Sequence, residues 1–202
     1  MIDVVIGNTG LATVRDKLAY IITTELTNQR SLATGTYKTQ LDTFWNANNE
    51  LNIFVDRNIP LDPSELNGIV IAPVKETNDN GSQVRTQVTA EFNIFFPGES
   101  NEENPDTDIN KTLERISGVV KNILNSGVYV TLGFNQGFIA SRKVTERSFF
   151  IPISNDSQSL NGVTLTVMVE YDEQHYLKNP VELLGNTTTT GRYKIITDYE
   201  VE

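Results

Sequence analysis

Few side chains in these 202 residues could do chemistry. The chain has one histidine, His175, beside Tyr176, and no cysteine. That removes thiol nucleophiles, disulfide scaffolds and thiolate metal sites. It also takes away most of the ligands and bases that zinc sites and Ser/His/Asp triads need. A solvated or packing role is expected for His175. Asp106-x-Asp108-x-Asn110 opens like a calcium loop, but Lys111 stands sixth, where the loop needs glycine, and Ser117 stands twelfth, where it needs glutamate. Helix capping is the better account of these carboxylates. No phosphate-binding glycine loop, nucleophile elbow or zinc-helix motif occurs. Two carboxylates could still meet in space as an acid/base pair. The expectation is a protein without catalytic residues, metal or cofactor.

Charge is the stronger signal. A formal net charge of −10 and a pI near 4.6 oppose a protein that grips nucleic acid, since phosphate binding needs clustered Lys and Arg to release counterions. The dense basic group is Arg142, Lys143 and Arg147, in a segment that reads as a strand. It is either a solvated strand face or a patch that meets the acidic stretch Glu99, Glu102, Glu103, Asp106 and Asp108 of a neighbouring subunit. The Asn-x-Ser/Thr sites at Asn80, Asn110, Asn155 and Asn186 read as polar turns and caps. The opening MIDVVIGNTG lacks a basic region, apolar block and cleavage site, so the chain is expected to fold where it is made. No apolar run approaches the roughly 20 residues that cross a bilayer, and no membrane role is expected.

These groups must be held by elements that the periodicity reveals. From Gln83 to Phe96 the chain alternates: Val84, Thr86, Val88, Ala90, Phe92, Ile94 and Phe96 share one side, polar residues the other. This predicts a long strand with one buried face, in an antiparallel sheet. Leu11, Val14, Leu18, Ile21, Ile22 and Leu26 step by threes and fours as an amphipathic helix, with Thr9 or Thr13 as its cap. Ile109, Leu113, Ile116, Val120 and Ile123 do the same, with Asp106 or Asp108 at the start and Gly127 at the end. Segments 51–55, 68–75, 128–134, 138–153 and 163–171 read as strands, residues 1–10 as an edge strand or arm, and residues 31–50 as a short helix or ordered loop. The prolines of Asn58–Pro63 interrupt the strands there, and Pro97-Gly98 is expected to stop the central one.

The order predicts an α+β fold: a mostly antiparallel sheet of about six strands with two amphipathic helices packed on one face. At this length one domain is expected, over residues 1–172. Residues 173–202 form a C-terminal extension, or arm, with a Gly/Thr-rich linker and a last alternating run of Tyr193, Ile195, Tyr199 and Val201. Such a run could pair with its own sheet edge or a neighbour's.

This order, with the central strand closing in Phe95-Phe96-Pro97-Gly98, the helix Ile109 to Leu124, a hairpin region and the strand Val163 to Tyr171, resembles the tail-terminator and tail-completion (neck) proteins of long-tailed bacteriophages over roughly residues 11 to 172. The resemblance rests on element order and patterning, without a diagnostic motif. It implies a structural virion protein whose copies form a ring, commonly a hexamer, that caps the tail tube, ends its polymerisation and joins the tail to the head or neck. The implied partners are further copies, the tail tube protein and head-tail connector or neck proteins. DNA would pass through the lumen without specific binding, and an acidic lining would let it slide. The implied location is the virion tail or neck, and the host cytoplasm during assembly. A head-tail adaptor or another tail or neck ring subunit remains open. So does a β-rich carbohydrate- or partner-binding module using Tyr37, Trp45 and Tyr129 as stacking surfaces.

Overall fold

Alternation along Arg85–Ser100 does what the sequence predicts. Val88, Ala90, Phe92, Ile94 and Phe96 are all buried on one side of this strand, and they lie at the centre of the core. The computed structural model describes residues 10–55, 67–79, 85–100, 106–150 and 159–174. In chain order the elements are α1 (Gly10–Leu32), α2 (Gly35–Asp42), β1 (Ile53–Val55), β2 (Ile69–Asp79), β3 (Arg85–Ser100), α3 (Asp106–Asn125), a 3-10 turn (Gly127–Tyr129), β4 (Ile139–Phe150) and β5 (Ser159–Gln174). The class is α+β, as expected. The strands form a five-stranded sheet in the order β1-β2-β3-β5-β4, antiparallel except for the parallel β1–β2 pair.

Helices cover one face. Val14, Leu18, Ile21, Ile22 and Leu26 of α1 and Ile109, Leu113, Ile116 and Val120 of α3 share a single core with the inward residues of β3 and with Val163, Leu165, Val167, Val169 and Tyr171 of β5. The residues between them on the strands point to the other face, which no helix covers among the described residues. Gly98 shows how close the layers come: a Cβ there would sit 3.0 Å from Ile109 Cγ2 and 3.1 Å from Leu113 Cδ1.

Several expectations change. Pro97-Gly98 does not stop β3, which runs on to Ser100 and pairs Pro97 with Gly162. Proline is tolerated because that side of residue 97 lies past the start of β2, where its carbonyl accepts from Asn67 N–H at 3.0 Å. The segment 128–134 is not a strand but a series of i→i+3 turns, closed by bonds such as Leu132 N–H to Tyr129 O at 3.0 Å. Leu132 and Gly133 reverse the chain there with φ of 53° and 73°. Gly127 does not cap α3; it opens the 3-10 turn, whose Val128 N–H donates to Ser126 Oγ at 3.3 Å. The carboxylate of Asp108 lies inside the first turn of α3, 3.7 Å from Lys111 Nζ, and is not its cap. The expected edge strand or arm at 1–10, Thr9 and most of the C-terminal extension lie outside the described residues.

The C-terminal turn of α1 is tied to α2 by charge. Arg30 Nε donates to Asp42 Oδ1 at 2.6 Å, and its guanidinium lies 4.7 Å from the centre of the Trp45 ring. The Arg30 hydrogen bond, followed by the charges of Lys38 and Arg30, holds the Asp42 carboxyl below its ordinary value despite some opposing desolvation. A depressed carboxylate stabilises the fold above the ordinary carboxylate range, and that contribution disappears as pH falls through the folded value. The melting temperature of Asp42→Asn should therefore lie below that of the parent at pH 7, and the gap should close on acidification. A gap that stays constant with pH would show that the carboxylate charge is not what joins the helices.

Candidate assembly surface

The sequence points to β4, and the sheet order places it at an edge. Its outer side pairs with no strand among the described residues, leaving a row of backbone donors and acceptors along twelve residues. The other edge, β1, is only three residues long. β4 is also bulged, with register shifts between Ile139 and Ser141 and between Val144 and Glu146.

The second bulge decides where the basic residues lie. Arg142, Val144, Arg147 and Phe149 stand opposite Val169, Val167, Leu165 and Val163, the helix-facing residues of β5. Lys143, Glu146 and Ser148 stand opposite Met168, Thr166 and Thr164, on the uncovered face. Arg142 is half-buried and donates through Nε to Tyr129 O and through Nη2 to Ser126 O, carbonyls just past the end of α3. Burial lowers its pKa from the ordinary value. Arg147 reaches α3, donating to Glu114 O and, at 2.8 Å, to Ser117 Oγ; its guanidinium lies 4.8 Å from the Phe149 ring centre. Its buried Nε has no hydrogen-bond partner. Lys143 is exposed. None of the three has a carboxylate within salt-bridge distance among the described residues, where the partners of Arg142 and Arg147 are neutral oxygens.

Of the acidic stretch, Glu99 is the penultimate residue of β3, paired with Leu160 of β5, Asp106 opens α3 and Asp108 is exposed beside Lys111. Glu102 and Glu103 lie outside the described residues, and so does His175. Tyr37, Trp45 and Tyr129 all pack against the core. Arg115 lies over Tyr37 at 5.7 Å, Arg30 over Trp45, and Tyr129 donates to Glu25, which pushes its phenol up to about 12.

Sequence reading missed an apolar row on the uncovered face. Register aligns Phe54 of β1 with Val70 of β2 and Val70 with Phe95 of β3. Phe150 of β4 pairs with Gly162 of β5, where an added Cβ would lie 2.5 Å from Phe95 Cε2 and 3.7 Å from Phe150 Cβ. Glycine is thus what lets the Phe95 ring lean across β5 toward Phe150. Phe150 is 55% exposed. The remainder of the face is mostly polar, with Thr89, Glu91, Asn93, Thr166 and Glu170 around Ala72 and Met168. The available signal was Phe54, Val70 and Phe95 in their strands, but their alignment depends on register.

At the opposite end of the sheet, Tyr171 is fully buried and its hydroxyl has no hydrogen-bond partner. Burial, then the nearby Glu76 and Glu173 charges, hold its phenol above the ordinary range. Desolvation and then Glu173 raise Glu76, while Glu173 Oε1 accepts from the first N–H of α1, Gly10, at 3.3 Å. The Tyr171 hydroxyl lies near the Glu76 carboxylate without meeting hydrogen-bond geometry, so Tyr171→Phe should change stability in chemical denaturation by no more than about 1 kcal/mol. A loss above that would mean the hydroxyl is bonded in solution.

With this geometry in place, the chain can be compared with known proteins. No family model matches the chain, and no curated protein matches it. Among solved structures, a chain of "Virion of native gene transfer agent (GTA) particle" is similar at 11% sequence identity and a TM-score of 0.46, over 82% of this chain and 100% of that one. The likeness is loose, and no residue's role is taken from it.

Proposed function

We propose that the chain is a structural ring subunit: copies associate side by side, commonly six, to cap a phage-type tail tube and join it to the head or neck. The observation that carries this reading is the sheet, covered by helices on one face and bearing on the other an apolar row that ends at a long edge strand with no outer partner among the described residues. An apolar row that ends in the exposed Phe150 ring, beside a strand edge with no partner among the described residues, is a surface that a solitary soluble protein avoids. A second copy is the occupant that self-assembly requires. The acidic balance suits a lumen through which DNA slides, and the reading assigns no enzymatic step, metal or cofactor.

Electron microscopy of the purified chain tests the architecture. Closed rings of uniform diameter are expected. Stacked filaments would favour a tube subunit, and single particles of one chain would favour the partner-binding module. A head-tail adaptor is distinguished by what the ring docks on: the expected target is the end of a tail tube, and docking on connector alone would favour the adaptor.

A further inference from the structure

We infer that the outer edge of β4 is the acceptor for the C-terminal run 192–202 of the adjacent copy, which adds to the sheet as a further strand. This rests on the ring reading above. Three observations carry it. β4 is an edge strand of twelve residues with no partner on its outer side among the described residues, while the run is eleven residues of near-regular alternation, so the two match in length.

The second observation is charge. Asp198, Glu200 and Glu202 occupy alternate positions and therefore share one face of such a strand, acidic in its C-terminal half, with Arg192 and Lys194 on that face at its start. Arg142 and Arg147 lie on one face of β4, brought there by the bulge, and no described carboxylate answers them. Placing the acidic face on the helix side sets carboxylates against these arginines, and opposite charges across strands favour one register over its slipped alternatives. The third observation is the apolar row. The same orientation sends Tyr193, Tyr199 and Val201 to the uncovered face, where one of them would extend the line Phe54, Val70, Phe95 and Phe150 by one strand.

The connecting stretch 175–191 can span at most about 60 Å, enough to leave the end of β5 at Gln174 and reach a neighbour. Each copy then gives one strand and takes one. Such head-to-tail association closes into a ring when the rotation between copies permits it.

The absence of cysteine makes the test direct. Two separately tagged chains are mixed, one carrying Glu146→Cys on the edge and the other Thr197→Cys at the middle of the run, and treated with a short bismaleimide. A two-chain product is expected at least tenfold above that obtained with the edge cysteine moved to the exposed α3 position, Asn122→Cys. The chain ending at residue 174, checked for an unchanged melting transition, should scatter as a monomer at concentrations where the full chain is a ring. Equal yields from the two cysteine positions would overturn the inference. So would linkage found only when both cysteines sit in one chain, because the run would then close on its own sheet. A truncated chain that still forms the full ring overturns the inference and leaves the ring reading standing; a full chain that stays monomeric overturns both.

Discussion

Phe92→Ala should cost about 3 to 5 kcal/mol of unfolding free energy, from lost transfer energy together with the cavity left behind. Phe92 is fully buried, on the central strand β3, with Pro73 opposite on β2 and Val167 opposite on β5. It belongs to the layer that both long helices cover, so neither neighbouring strand can move in to fill the gap without separating from a helix. For a domain whose total stability is about 5 to 15 kcal/mol, such a loss brings unfolding close to physiological temperature. The same substitution at Phe150 should cost under about 1 kcal/mol, because half of that ring is already in water. Denaturant titration of both variants checks the assignment of faces. Equal losses would mean that the outer face is packed as firmly as the inner one.

Phe150→Glu should have the opposite profile, with its large effect on assembly. The side chain stands at the end of the apolar row, beside the outer edge of β4, which has no partner among the described residues. Burying a carboxylate against Phe95 in an interface costs far more than leaving it in water, whereas in the separate chain it remains solvated and the core is untouched. Association should weaken at least tenfold, which corresponds to about 1.4 kcal/mol, with a melting transition close to that of the separated parent chain. Analytical ultracentrifugation over a concentration series reads the shift. An unchanged distribution of species would remove the uncovered face from the interface.

How much of this was legible follows from where the information resides. β3 and β5 alternate strictly because each has one buried face, and α1 and α3 step by threes and fours because each has one buried stripe; these patterns need no knowledge of neighbours. Val128, Val130, Leu132 and Phe134 also alternate, yet Val128 is 80% exposed and the segment closes local turns. The two-residue period there records no sheet, and the positive φ at a leucine gives no sequence warning. The bulge between Val144 and Glu146 was invisible for a similar reason. Arg142 and Arg147 are five apart and should face opposite ways on a regular strand, but the extra residue puts them on one side. The apolar row depends on the register of all five strands and on Gly162 admitting the Phe95 ring, and these are properties of pairing. The basic and acidic groups could be named from sequence, but their surroundings had to come from the fold.

Light scattering during size-exclusion chromatography, across protein concentration and with or without millimolar magnesium, tests the central claim most directly. Screening matters because a chain of net charge −10 repels its own copies. The account predicts a discrete mass near six times 22.6 kDa, about 136 kDa, favoured by higher concentration and by magnesium. A mass of 22.6 kDa under every condition would contradict it.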